Sequence, residues 1–132
     1  MQPNAELLKR LAAMFLVEAR EHVQTLGASL VKLEHTSDRG EQLPLIETLF
    51  RAAHSLKGAA RTVNAGEIER LCQKLEGVFS QLKSGQRDLS AAALDELHQA
   101  VTSLAKLIDL LESGQPRPSA ESTIQSPQSP AP

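Results

Sequence analysis

Apolar residues recur at intervals of three and four along this sequence, which is the period of an amphipathic α-helix. The first such stretch covers residues 4–34, and Asn4 is of a residue type that caps helices well. The second begins near Pro44, because proline fits the first turn of a helix. It ends at residues 64–66, where Asn and Gly tolerate the left-handed conformation that closes helices.

Two further stretches continue the same period. The third helix is predicted over residues 67–83, and the fourth follows Ser90 as its cap and ends at Gly114. The connections are short, and the longest, roughly ten residues, follows the first helix. Short connections between amphipathic helices favour antiparallel neighbours. The sequence therefore predicts an all-α fold over residues 1–114, an antiparallel up-down four-helix bundle.

The composition changes after Gly114. Residues 115–132 consist mainly of Pro, Ser and Gln, and Ile124 is their one large apolar residue. A segment of this kind cannot bury enough apolar surface to order itself. We therefore expect a disordered tail, with the character of a flexible linker, and we expect the chain to be the N-terminal piece of a larger protein.

Composition narrows the class of protein. Hydrophobic residues make up 41% of the chain and aromatic residues 2%, so the core must be aliphatic, which suits helices. The net charge of -2, with no basic stripe, argues against nucleic acid as a partner. The lone Cys72 excludes an intramolecular disulfide and a Cys-rich zinc site. No stretch approaches the ~20 apolar residues that span a bilayer, so we expect a cytoplasmic protein without membrane insertion.

Candidate chemistry lies on the second predicted helix. At about 100° per residue, four residues share one stripe on its solvent side, at positions i, i+3, i+4 and i+7. These residues are His54, Lys57, Gly58 and Arg61. An exposed imidazole on a rigid helix can act as a nucleophile through its free nitrogen, provided that an acceptor holds the other nitrogen. A nearby cation would stabilise charge on a transferred group, and a glycine lets a partner approach closely.

Other interpretations remain open from the spacing alone. His54 could be a solvated surface histidine, as we expect for His22, His35 and His98. A metal-binding bundle would need two Glu-x-x-His motifs, whereas the chain has one Asp-x-x-His, at residues 95–98, so no metal or cofactor is expected. The sequence contains no Gly-rich phosphate loop, so we expect no ATP site and no enzyme activity of the chain alone.

Residues 49–60, with the sequence LFRAAHSLKGAA, closely resemble the phosphorylation-site helix of histidine-containing phosphotransfer (HPt) domains. This stretch is most similar to the corresponding helix in the N-terminal domain of chemotaxis-type (CheA-like) histidine kinases. Residues 15–22 and 71–76 are similar to the first and third helices of that family. The resemblance thus covers residues 4–114, and it implies a phosphotransfer module of a two-component signalling pathway.

The resemblance also implies roles for individual residues. His54 would be the phosphoacceptor, Lys57 the neighbouring cation and Gly58 the position of close approach. Glu76, on the third helix, would accept a hydrogen bond from the imidazole and orient it. Gln73 departs from the family, since chemotaxis members often carry a histidine there.

The resemblance implies partners that supply what this chain lacks. ATP and Mg²⁺ would belong to partner domains, namely a histidine kinase catalytic domain, acting between subunits of a dimer, and a response-regulator receiver with an acceptor aspartate. The kinase domain would lie beyond the linker in the parent chain. A stand-alone phosphorelay protein and a non-catalytic adaptor bundle are the alternatives. The residues expected to contact partners are Arg20, His22, Arg51, Ser55, Arg61 and Gln73.

Overall fold

The structure is a computed structural model that describes residues 5–114. It contains four helices in this range: α1 (Ala5–Glu34), α2 (Arg39–Thr62), α3 (Gly66–Ser84) and α4 (Ala91–Ser113). α1 packs on α2 and α4, and α3 packs on the same two helices, so the four form a closed ring of neighbours. The predicted all-α four-helix bundle is confirmed. The proposed Asn4 cap and the predicted tail at 115–132 lie outside the described residues.

The core is aliphatic, as the composition requires. Leu side chains from all four helices meet at the centre, with Ile, Ala and the rings of Phe15 and Phe79 between them. Fully burying one such side chain stabilises the fold by about 1.5–3 kcal/mol. The largest fully buried side chains are those of Phe79, Leu26, Leu30, Leu33, Ile46, Leu49, Leu56, Ile68, Leu75, Leu82, Leu97 and Leu104.

The start of α2 differs from the prediction. The helix begins at Arg39 and not near Pro44, because the side chain of Asp38 accepts a hydrogen bond from the backbone N–H of Glu41, at 3.1 Å, and so caps an earlier turn. Pro44 lies inside the helix. The prediction of a long connection after α1 is therefore wrong as well, since only residues 35–38 separate the two helices. The sequence signal was present, because Asp38 and Glu41 have the spacing of a capping box.

The other helix ends agree with the sequence. Ser90 caps α4 by accepting a hydrogen bond from the N–H of Ala93 at 3.1 Å. Asn64 and Gly114 have φ of 61° and 76°, in the left-handed region that ends a helix. Within residues 5–114, no helix combines the length and the apolar character needed to cross a membrane.

A row of polar contacts fixes the register between α2 and α3. Successive paired residues along α2 are seven, three and four positions apart, and their partners along α3 are spaced equally in the opposite direction, so the two helices are antiparallel in one constant register. At the start of α2, the Arg39 side chain also donates to the carbonyls of Leu82 and Lys83, at 2.9 and 3.1 Å. We call the row the polar ladder, and its cross-helix pairs are Glu47 with Lys83, His54 with Glu76, Lys57 with Gln73 and Arg61 with Glu69.

The cap of α2 can be tested with two substitutions. Asp38→Ala removes the acceptor for the Glu41 N–H and should lower the free energy of unfolding by about 1 kcal/mol. Asp38→Asn keeps a capping side chain and should recover most of that loss, because Asn and Asp cap helices about equally well. Urea unfolding followed by circular dichroism measures both. Equal stability of Asp38→Ala and the unmodified chain would contradict the assigned start.

Candidate functional site

The imidazole of His54 is held at one nitrogen and open at the other. Its Nδ1 lies 2.7 Å from Oε2 of Glu76, and the His54 side chain is 65% exposed. An ionised carboxylate can only accept a hydrogen bond, so the proton of the neutral ring resides on Nδ1. Nε2 therefore carries the lone pair, on the side of the ring away from Glu76.

Glu76 is a buried carboxylate with two donors. Only 7% of the residue is exposed, and its Oε1 accepts from Nζ of Lys57 at 2.8 Å. Burial raises the pKa of Glu76, but the hydrogen bonds from Lys57 and His54, together with the positive charge of Lys57, lower it by more. The net result is a pKa below the ordinary value, so Glu76 is ionised at neutral pH.

Lys57 is turned toward α3 and is not on the open stripe that the sequence predicted. Its side chain is 15% exposed, and its Nζ donates to Glu76 and, at 3.1 Å, to Oε1 of Gln73. The long apolar stem lies along the helix interface, so the ammonium group reaches acceptors on the neighbouring helix. The structure thus brings Lys57, Gln73, Glu76 and His54 into one connected group.

The two remaining stripe residues flank this group. Gly58 is exposed, and a Cβ atom added there would meet no atom within 4 Å, so the surface one turn from His54 is open. Arg61 lies two turns from His54 and donates to Glu69 at 2.7 Å, as the last pair of the polar ladder. Arg61 is therefore placed beside α3 and not beside the imidazole.

The residues expected to contact partners lie in three places, since Arg61 and Gln73 belong to the polar ladder between α2 and α3. His22, Arg51 and Ser55 line one depression between α1 and α2. Arg20 does not belong to it, since its guanidinium forms ion pairs with Asp109, at 3.1 Å, and Glu112, both on α4. The reason is helical geometry: a residue two positions before His22 points about 200° away around α1.

One neighbour of the imidazole was not singled out by the sequence analysis. The ring of Phe50 lies parallel to that of His54, with an angle of 5° between the planes and 6.2 Å between the centroids. The signal available in the sequence was the spacing of four residues, which places both side chains on one face of α2.

Cys72 also lies near the site, but it is not a reactive group. The residue is fully buried, and burial, together with the negative charge of Glu76, raises the pKa of its thiol to about 12. Cys72 therefore acts as a small buried apolar residue of the core.

The imidazoles of His98 and His22 each lie beside a single carboxylate. His98 lies 3.2 Å from Glu34 of α1, and His22 lies 3.5 Å from Glu18. Among residues 5–114, no three His, Cys, Asp or Glu side chains are grouped so as to hold a metal ion. The most distinctive chemical group among the described residues is the imidazole of His54, which is oriented by Glu76, exposed, and of a type that can act as a nucleophile.

Comparison with known proteins agrees with this chemistry. The family model of the Hpt domain matches residues 10–112. The chain therefore belongs to the Hpt domain family, whose members are phosphotransfer modules. Within that family it is similar to the chemotaxis protein CheA of Bacillus subtilis (strain 168), with 31% identity over 101 residues, 76% of this chain. It is also 31% identical over 110 residues, 83% of this chain, to CheA of Treponema pallidum (strain Nichols).

A solved structure gives the same result for the fold. The chain is similar to the CheA phosphotransferase domain from Thermotoga maritima, with a TM-score of 0.71 and 28% identity, over 80% of this chain and 96% of that one. The match covers only 15% of the length of CheA from B. subtilis and 12% of that from T. pallidum. The chain thus corresponds to the Hpt region of these CheA proteins, which is a small part of their length.

The ionised state of Glu76 makes a prediction for stability. Glu76→Gln should lower the free energy of unfolding by about 1–3 kcal/mol at neutral pH, because Lys57 and His54 lose a charged acceptor. The pKa of Glu76 is lowered in the folded chain, so its stabilising effect is present above the ordinary value of 4.5 and is lost as the pH falls through the folded-state value. The difference between the two proteins should therefore shrink in acid. Urea unfolding over a pH series measures it, and a difference independent of pH would contradict the assignment.

Proposed function

We propose that Nε2 of His54 accepts a phosphoryl group from an ATP-bound kinase domain and passes it to an aspartate of a receiver domain. The observation that carries the proposal is the 2.7 Å hydrogen bond from Nδ1 to Glu76, combined with an imidazole that is 65% exposed. That combination leaves the nucleophilic lone pair accessible to a macromolecular partner. Membership in the Hpt domain family, shown by the match to residues 10–112, supports the same chemistry.

In the first transfer, the Nε2 lone pair attacks the γ-phosphorus of ATP. A bond forms between Nε2 and phosphorus, the bond from phosphorus to the bridging oxygen breaks, and ADP leaves with those electrons. Nδ1 keeps its proton, so the ring acquires a positive charge. Glu76 lies 2.7 Å from that proton and stabilises the charge through a charge-assisted hydrogen bond.

In the second transfer, a carboxylate oxygen of the receiver attacks the same phosphorus. The bond between Nε2 and phosphorus breaks, its electrons return to Nε2, and the ring is again neutral with its proton on Nδ1. The product on the receiver is an acyl phosphate. Mg²⁺ bound to the receiver would neutralise charge on the phosphoryl oxygens.

Lys57 and Gly58 would act beside the nucleophile. Lys57 keeps Glu76 ionised through its 2.8 Å contact, and its charge, one turn from His54, would stabilise the transferred phosphoryl group. Gln73 holds Lys57 in this position. Gly58 has no side chain, so it leaves room for a partner's active site to approach His54 closely.

We further propose that residues 1–114 are a carrier domain and that residues 115–132 link it to the rest of a CheA-like kinase. ATP would bind to the kinase domain, which acts on the carrier of the other subunit in a dimer. A flexible link raises the effective concentration of the carrier at the kinase and still lets it reach other partners. Receivers would dock over the depression lined by His22, Arg51 and Ser55, one turn from His54.

The phosphoacceptor can be identified by substitution. His54→Gln should abolish acid-labile phosphorylation by a CheA kinase domain and ATP, because the amide offers no nucleophilic ring nitrogen. His35→Gln and His98→Gln are matched controls that lie outside the candidate site and outside the proposed docking depression, and they should be phosphorylated like the unmodified chain. Circular dichroism checks that all three remain helical. If His54→Gln still acquired an acid-labile phosphoryl group, the assignment of His54 would be wrong.

The role of Glu76 predicts a change in rate. Glu76→Gln should slow phosphorylation of His54 by about 10- to 100-fold, the range found when carboxylates that orient metal-bound histidines are removed. Glu69→Gln removes a carboxylate from the same helix but one that pairs with Arg61, so it should leave the rate nearly unchanged. Initial rates of radiolabel transfer from ATP compare the variants. Equal phosphorylation rates for Glu76→Gln and Glu69→Gln would contradict the proposed role of Glu76.

A further inference from the structure

Phe50 presents a ring to the site from one turn before His54 on α2. The two rings are within 5° of parallel, and their centroids are 6.2 Å apart, inside the range of about 4.5–7 Å for interacting aromatic rings. Phe50 is half-buried and packs against the core, whereas Phe15 and Phe79 are buried in it. Phe50 is thus anchored by core contacts and has an edge of its surface at the functional site.

The contact with Glu76 alone does not fix the imidazole. The ring orientation is set by the two side-chain torsions of His54, and one hydrogen bond at Nδ1 still allows coupled changes of both torsions that swing the Nε2 lone pair through a range of directions. In-line attack on phosphorus depends on the direction of that lone pair. A parallel ring alongside restricts the rotation. We infer that Phe50 is a positioning residue for phosphoryl transfer at His54, an inference that rests on the proposed function.

The electrostatic effect of Phe50 is secondary to this orientation. When Nε2 bonds to phosphorus and the donor's leaving group departs with its electrons, Nδ1 keeps its proton and the ring becomes cationic. The face of an aromatic ring attracts a cation within about 6 Å. The separation of 6.2 Å lies just beyond that range, so restricted rotation accounts for most of the expected effect.

The test uses the full 132-residue chain with phosphoramidate, a small phosphoryl donor that needs no docking surface. The bond between phosphorus and nitrogen of the donor breaks, ammonia leaves, and Nε2 takes the phosphoryl group. Phe50→Leu keeps an apolar side chain but removes the ring, and it should slow labelling of His54 by roughly 2- to 10-fold. Phe50→Tyr restores a ring and should restore the rate to within about twofold.

A second measurement reports the ring contact itself. The ring-proton NMR shifts of His54 should move when Phe50→Leu removes the ring current, and they should return toward the original values in Phe50→Tyr. Phe15→Leu is the matched control, because it removes a buried ring from α1. It should lower the Tm while leaving the labelling rate and the His54 shifts unchanged.

The outcomes separate this inference from the proposed function. Labelling of Phe50→Leu at the rate of the unmodified chain would overturn the role of Phe50, and so would a Phe50→Tyr variant as slow as Phe50→Leu. If the unmodified chain took no phosphoryl group on His54, the proposed function would fail instead. Slow labelling in Phe50→Leu, rescue in Phe50→Tyr and matching NMR shifts would support the positioning role.

Discussion

A buried carboxylate that stays ionised is the constraint on which the site depends. Removing an ion from water costs several kcal/mol even after the protein relaxes, so Glu76 is tolerated only because both of its oxygens have donors. Both donors, His54 and Lys57, come from α2, whereas Glu76 belongs to α3. The chemistry of the site is therefore tied to the packing of one pair of helices, and a change that shifted these helices would leave a buried charge without partners.

The register of that helix pair is secured at several points. A slip by one helical turn would move Glu76 about 5.4 Å along its axis, beyond the reach of both donors. The pairs Glu47–Lys83 and Arg61–Glu69, at the two ends of the polar ladder, oppose such a slip, as does Arg39 at the carbonyls that end α3. Exposed ion pairs of this kind contribute little to stability individually. Their value here is geometric, because they select the one alignment in which the buried pair can form.

Much of the fold could be predicted from the sequence, because periodicity reports which face of a helix is buried. All four helices and the caps at Ser90 and Gly114 follow from local signals. The start of α2 was missed, since Pro44 was weighed above the capping pair at Asp38. The site was harder to predict from the sequence. The spacing of residues placed His54 on the surface of α2. Contacts between two helices also depend on their register, and the periodicity of each helix carries no information about that register. Glu76 was therefore reached by resemblance, and the inward turn of Lys57 and the ring of Phe50 were not foreseen.

The open side of His54 has a consequence for how such a domain carries information. The His54 side chain is 65% exposed and contacts Glu76 through Nδ1, so a group attached to Nε2 would add volume outside the core and would require no helix to move. The modified and unmodified forms would then have nearly the same shape. A partner could distinguish the two forms only by direct contact with the imidazole. The signal would therefore be the attached group itself and not a change in the conformation of the bundle.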